Sequence, residues 1–322
     1  MKLTVLICTH NREGLLARVL DSLHAAAHPD AWTVRILVVA NACNDGTHAL
    51  LEAQREASQR ESSRFSLDWL AEPKPGKSNA LNTAIPLLME SDVVAFVDDD
   101  HRVDGQYLAQ ISQAAQAYPE ATIFCGRIVA DWDGTEPAWV HDRGPYRIYP
   151  APVQEQAFGP IARVLRADDA ELPGGGNLFL RPQLFSRIGG FSTDLGPKGH
   201  DLGGGEDTAF VLKALEHGER LQYVPEVFQY HFVDRTRLSF TYLLKKAYQR
   251  SRSSARVHHE GRNGRVPLYM WRKLAGYALR AVAPPSWPRL RFYLMRMAST
   301  LGEIRGLRDA ARAAARPRLP RR

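Results

Sequence analysis

Apolar residues fall in short, repeated runs over the first hundred positions, and their spacing alternates between two periods. Residues 3–8 (LTVLIC) form a brief apolar run that predicts a buried strand. Residues 13–27 follow with Leu15, Leu16, Val19, Leu20 and Leu23 at helical spacing. A second run, VRILVVA at 34–40, ends in a turn-rich loop at 41–47. A helix over 47–58 is predicted to open at a Thr47 cap. Then come a strand over 65–70, a helix over 76–89 and a fourth apolar run, DVVAFV, at 92–97. Strands alternating with helices of this length predict an α/β fold with a doubly wound, mostly parallel, Rossmann-like sheet. Such sheets bind ligands beyond the carboxyl ends of their strands. Residues 9–12, 41–47 and 98–100 should therefore form one rim.

The same reading gives a helix over 105–118, strands over 122–129 and 178–180, and a helical turn over 182–188. A helix over 207–217 and a last strand region over 221–232 complete this part. The intervening residues 132–166 are rich in Pro, Gly and aromatics and predict irregular structure, at ~35 residues too long for a passive connector. From residue 235 onward the pattern is helical. Two domains are expected: an α/β body over 1–234 and a helical extension over 235–322.

Charge sharpens that division. The 322 residues carry a net charge of +7, yet residues 1–234 hold 20 Lys and Arg against 32 Asp and Glu, while 235–322 hold 22 against 3. An acidic body and a basic extension need separate explanations. The three cysteines form no C-x-x-C pair, which excludes a zinc ribbon or a thioredoxin-type site and fits a reducing compartment. No leader pattern precedes the first strand, and no run of ~18 uncharged apolar residues predicts a membrane span. The expected location is the cytoplasm, with the basic section peripheral on the cytoplasmic face of a membrane.

Asp98, Asp99 and Asp100 follow a buried apolar run directly. Adjacent carboxylates repel, so the cluster is costly unless something positive sits there. Hard divalent cations take oxygen ligands and often share them with substrate phosphates; a solvated acidic turn is the plainer reading. Gly203, Gly204, Gly205, Glu206 and Asp207 precede a helix. Asp207 is either a helix cap or a general base in a loop that substrate can approach closely. Residues 173–177 (PGGGN) form a second Gly-rich loop, but neither the dinucleotide fingerprint nor the P-loop is present. Lys77 stands in a G-K-S triplet that lacks the upstream P-loop glycine. His231 ends an apolar strand region as either a structural residue or a metal ligand, and His258 and His259 read as solvated.

Taken together, these segments resemble the family-2 glycosyltransferases of the GT-A fold. The resemblance covers about residues 2–235 and rests on TVLICTHNREGLL at 4–16, VVANACNDGT at 38–47, PGKSNALNTAI at 75–85, FVDDD at 96–100, GGGNLFLRPQLFSRIGGF at 174–191 and GGGEDTAF at 203–210, with His231 downstream. It implies an inverting transferase that moves a sugar from a nucleotide-sugar donor to a glycan or lipid-linked acceptor, in cell-surface polysaccharide or glycolipid synthesis. It further implies that Asp98 and Asp99 face the nucleotide, and that Asp100 holds a divalent cation, Mn²⁺ or Mg²⁺, with His231 as an additional metal or diphosphate contact. Asp207 becomes the catalytic base, with Glu206 as its supporting carboxylate. Thr9, Asn11 and Arg12 become nucleotide contacts, as do Lys77 and Asn82. Where the family usually has Asp at the end of the second strand, this chain has Ala40 followed by Asn41, whose amide offers a donor and an acceptor to a base edge. A retaining double displacement would need a second carboxylate as nucleophile, and the sequence offers no clear candidate for one.

In the basic section, Leu290, Tyr293, Leu294, Met297, Ala298, Leu301 and Ile304 recur at helical spacing among arginines, with Trp271 and Trp287 nearby. A basic amphipathic helix suits an anionic membrane surface; the same stripe could instead pack on the body. The competing function class is a non-enzymatic sugar-nucleotide or nucleic-acid binder using the basic tail. The acid cluster, the Glu206–Asp207 pair and His231 favour the enzyme.

Overall fold

A computed structural model of the chain describes residues 1–59, 65–148, 152–153, 155–169, 171–193, 205–258, 266–282 and 286–314. It divides into two compact units, Met1–Asp131 with Gln154–Phe232, and Trp132–Val153 with Val233–Arg322.

The first unit is built on one nine-stranded sheet. Its strands are β1 (Lys2–Thr9), β2 (Thr33–Asn41), β3 (Phe65–Glu72), β4 (Val93–Asp98), β5 (His101–Val103), β6 (Ile123–Asp131), β7 (Arg163–Leu165), β8 (Leu178–Leu180) and β9 (Leu221–Phe232). The order is β3-β2-β1-β4-β8-β6-β9-β5, with β7 on β9. Most of the paired length is parallel: β1 with β2 and β4, β2 with β3, and β6 with β9. The antiparallel pairings are short and involve β5, β7 and β8. The chain carries the expected mostly parallel α/β sheet.

The apolar runs are nearly continuous because both faces of the sheet are covered. Leu3, Val5 and Ile7 face one core with Ile36, Val38, Val93 and Ala95. Their neighbours Leu6, Leu37, Val39, Val94 and Phe96 face the other. On the first side pack α1 (Glu13–Ala25), α2 (Thr47–Ser58) and α4 (Tyr107–Ala117). On the second pack α3 (Lys77–Leu88), α5 (Gln183–Ile188) and α6 (Glu206–Glu216).

Two local expectations need correction, and one strand was not foreseen. Thr47 is the first helical residue of α2 rather than its cap, and the Asp45 side chain accepts its N–H at 3.1 Å. The strand β5 has only three residues, too few for a periodic signal. Residues 132–166 contain the strand β7 and a 3-10 turn at Ala138–His141, so the segment is not wholly irregular. The expectations for the side chain of His258 and for His259, and part of those for 203–204 and 309–322, lie outside the described residues.

In the second unit the helices are α7 (Phe240–His258), α8 (Leu268–Val282) and α9 (Trp287–Ala314). A small core joins Ile148, Leu243, Ala247 and Met295 to Trp139, Phe240 and Ala298. The helices α7 and α9 lie close: a Cβ on Gly302 would stand 2.1 Å from the Tyr248 carbonyl oxygen, and one on Gly306 2.3 Å from that of Arg252. Among the described residues, no helix is long and apolar enough to cross a membrane.

Candidate active site

The strand register brings the predicted rim together. Thr9 lies beside Ala40 across β1 and β2, and Cys8 lies between Val39 and Asp98. Across β5 and β9, His101 pairs with His231. The glycines at 174–176 lead into β8, and Glu206 and Asp207 open α6. A cleft at this end is lined by Cys8, Lys77, Phe96, Asp98, Gly175 and Asp207.

Charges of both signs are interleaved here, which answers the repulsion expected of three consecutive aspartates. Arg12 Nη1 donates to Asp99 Oδ1 at 2.7 Å and to Asp100 Oδ2 at 3.1 Å. Thr9 Oγ1 donates to Asp99 Oδ2 at 2.8 Å, so the buried Asp99 is held from two sides. Lys77 Nζ donates to Asp98 Oδ1 at 2.8 Å and reaches Asp207 Oδ2 at 3.4 Å. One ammonium thus ties the end of β4 to the start of α6. Burial alone would lower the Lys77 pKa, but Asp207 and Asp98 raise it well above the ordinary value. Burial pushes Asp99 up to about 6 against the pull of Arg12. For Asp100 the burial effect is overcome by the His231 hydrogen bond and nearby positive charge, which hold its carboxyl well below the usual range. Burial and the neighbouring Asp207 raise Glu206, whose Oε2 has no hydrogen-bond partner among the described residues.

Close backbone approach makes room for these carboxylates. A Cβ on Gly175 would lie 2.2 Å from Asp207 Cγ, and one on Gly176 2.8 Å from Asp98 Oδ2. This is the physical content of the PGGGN loop that sequence alone could only describe as Gly-rich.

Sequence reasoning missed His101. It is buried, and with Asp100 and His231 it forms a group whose ligand atoms lie within 4.8 Å of one another. The orientation of His101 is fixed from behind. Gln229 Nε2 donates to the Phe96 carbonyl at 3.1 Å, Tyr107 Oη at 2.7 Å and Asn177 Oδ1 at 3.1 Å. That leaves Gln229 Oε1 as the acceptor 2.7 Å from His101 Nδ1. Burial lowers the His101 pKa and favours the neutral ring. A neutral ring whose Nδ1 carries the proton presents the Nε2 lone pair, and Nε2 lies 3.9 Å from Asp100 Oδ1. The signal available in the sequence was His101 itself, directly after the acid cluster.

The two asparagines of the rim serve the loops. Asn41 is buried, and its Nδ2 donates to the carbonyls of Glu72 at 3.0 Å and Lys74 at 2.8 Å, while Oδ1 accepts from Gly76 N at 2.8 Å. Both amide hydrogens are spent, so no donor remains for a base edge. Asn11, at φ +52°, accepts from Asn44 N at 2.7 Å and joins the loops after β1 and β2. Asn82 is engaged in both directions with the backbone of Phe191.

Residues 4–181 match the profile of a family described as Glycosyl transferase family 2. The succinoglycan biosynthesis protein ExoM of Rhizobium meliloti (strain 1021) is 26% identical over 259 residues, covering 80% of this chain and 75% of that protein. The glucosyl-dolichyl phosphate glucuronosyltransferase of Haloferax volcanii is 22% identical over 158 residues, and the match spans about half of each, 49% of this chain and 48% of that one. Among solved structures, S. aureus TarS 1–349 in complex with UDP superposes with a TM-score of 0.53 at 18% identity, covering 97% of this chain and 92% of that one. The mannosyltransferase PcManGT from Pyrobaculum calidifontis, in complex with GDP-Man and Mn²⁺, superposes with a TM-score of 0.53 at 17% identity, covering 97% and 86%. These likenesses establish a shared fold.

Proposed function

This chain belongs to glycosyl transferase family 2 and is a glycosyltransferase of GT-A fold, and from that premise we propose an inverting, metal-assisted transfer of a sugar from a nucleotide-sugar donor to an acceptor hydroxyl. The observation that carries this reading is Lys77, whose ammonium pairs with both Asp98 and Asp207. A carboxylate at a helix start thereby stands beside a strand-end acid cluster, as base and donor site must.

Asp207 takes the proton of the acceptor hydroxyl at a carboxylate oxygen. Glu206 supports it from a buried position at the start of α6. Arg12 and Lys77 supply fixed positive charge for the donor diphosphate. Asp99, itself held by the Thr9 hydroxyl, holds Arg12, Asp98 faces the nucleotide, and Asn11 and Asn41 fix the loops against which it rests. The set Asp100, His101 and His231 offers one carboxylate and two imidazoles, which suits Mn²⁺ better than Mg²⁺. A cation there would neutralise charge developing on the leaving diphosphate. Because the leaving group is good, one base suffices and attack from the opposite face inverts the anomeric centre.

The acceptor is a glycan or lipid-linked sugar of cell-surface polysaccharide synthesis, a setting supported by the name of the ExoM relative. The test measures melting temperature against a panel of nucleoside diphosphates with Mn²⁺, then transfer by Asp207→Asn. The variant should bind the same diphosphate as wild type and lose 10²–10⁴-fold in turnover, the usual worth of a general base. Weakened donor binding with near-normal turnover would refute the base role.

A further inference from the structure

The apolar positions of α9 that suggested an amphipathic surface helix are largely turned inward. Ile304 and Met295 are buried, and Leu290, Tyr293, Leu294, Met297 and Ala298 are half-buried. The helix that exposes apolar surface is α8. Its Met270 and Ala281 are buried, and the Tyr277 ring lies 5.9 Å from that of Tyr293 on α9. The opposite side carries Leu268, Trp271, Ala275, Leu279 and Val282, recurring at intervals of three and four residues. Leu268 and Leu279 are 75% exposed, Val282 74% and Trp271 41%, values unusual for large apolar members of one helical stripe. Trp287, 60% exposed, follows at the start of α9.

We infer that this face of α8 is a docking surface for an anionic lipid bilayer, on which the helix lies in the plane of the headgroups. Charge complementarity selects this occupant. The helix contains Arg272, Lys273 and Arg280 and no acidic residue. Arg272 and Arg280 make no ion pair among the described residues, while the nearby acids Glu303 and Asp309 are paired with Lys273, Arg252 and Arg305. Arg272 and Arg280 beside the stripe are thus left without an acidic partner among the described residues. A stripe of aliphatic side chains with tryptophan and arginine beside it matches the acyl–headgroup boundary, where an apolar body and a cationic tip are satisfied together. A second copy of the chain would bring the Arg272 and Arg280 of one helix towards those of the other, and like charges across an interface oppose pairing. A polynucleotide would satisfy the arginines and leave the aliphatic stripe in water.

Flotation of the full chain with phosphatidylglycerol-containing vesicles, compared with phosphatidylcholine alone, is the direct test. Binding is expected only to the anionic vesicles, weakening but persisting as salt rises. Leu279→Glu and Val282→Glu should each lower partitioning by on the order of tenfold, since each removes one aliphatic anchor. Arg272→Gln and Arg280→Gln should each cost about fivefold at low salt. Melting temperature and nucleoside-diphosphate binding should be unchanged in all four, because these positions are exposed and lie outside the proposed donor site. Wild-type tryptophan emission should be quenched by brominated lipid, and less so in Trp271→Phe. Failure of the wild type to float with anionic vesicles at low salt would overturn the inference, as would undiminished binding by Leu279→Glu. Self-association that sedimentation velocity detects in wild type and not in Leu279→Glu, without vesicle binding, would identify the face as a self-interface instead.

Discussion

Replacing Gly175 by alanine puts a methyl carbon where the Asp207 carboxylate sits. The added Cβ would lie 2.2 Å from Asp207 Cγ and 2.3 and 2.4 Å from its oxygens, whereas ordinary contact begins at 3.4 Å. The carboxylate must therefore retreat by about 1 Å. Gly175 has no positive φ, so alanine fits its backbone and the fold should survive. A general base works within about 2.6–3.2 Å of the proton it takes, and a displacement of this size costs on the order of 10²-fold in rate, or ~2.7 kcal/mol of barrier. The expected result is a fall in kcat of roughly two orders of magnitude, with donor affinity changed by no more than a few fold. Single-turnover transfer at saturating donor, alongside calorimetric donor binding, measures both. The decisive comparison is the double variant: in an Asp207→Asn background, where no base remains to misplace, Gly175→Ala should cost little more. Unchanged turnover in Gly175→Ala, or a full additional loss in the Asn background, would refute the placement of Asp207 as the base.

Gln229→Leu should lower stability by about 3 kcal/mol, because it strands the buried donor of His101 and the partners Tyr107 and Phe96, readable as a shift in denaturant midpoint. In the folded variant Mn²⁺ affinity should drop 10–100-fold, since the tautomer of His101 is no longer imposed; calorimetry showing unaltered affinity would remove His101 from the ligand set. Asn41→Ala deletes three hydrogen bonds to the backbone at 72, 74 and 76 and should cost ~3 kcal/mol without changing which nucleoside diphosphate binds. A changed base preference in that variant would return Asn41 to the role of base reader.

Local pattern was enough for the body of the fold. The runs at β1, β2 and β4 are apolar at nearly every position because both faces of a wound sheet are covered, and a sequence displays that without any knowledge of neighbours. The carboxyl-end rim followed from topology, so the acid cluster and Asp207 could be nominated from spacing and resemblance. What stayed hidden depends on contacts between distant segments. His101 gains meaning only through Gln229, 128 residues away on β9, and the pairing of β5 with β9 that sets it beside His231 is three residues long. Asn41 looked free to read a base until the carbonyls of Glu72 and Lys74 were found on its amide. The same limit governed the basic helices: α8 and α9 both carry apolar positions at helical spacing, and periodicity states that a face is apolar, not what covers it. Packing against α7 buried that of α9 and left that of α8 in solvent, because close approach at Gly302 and Gly306 is a property of two helices and of neither alone.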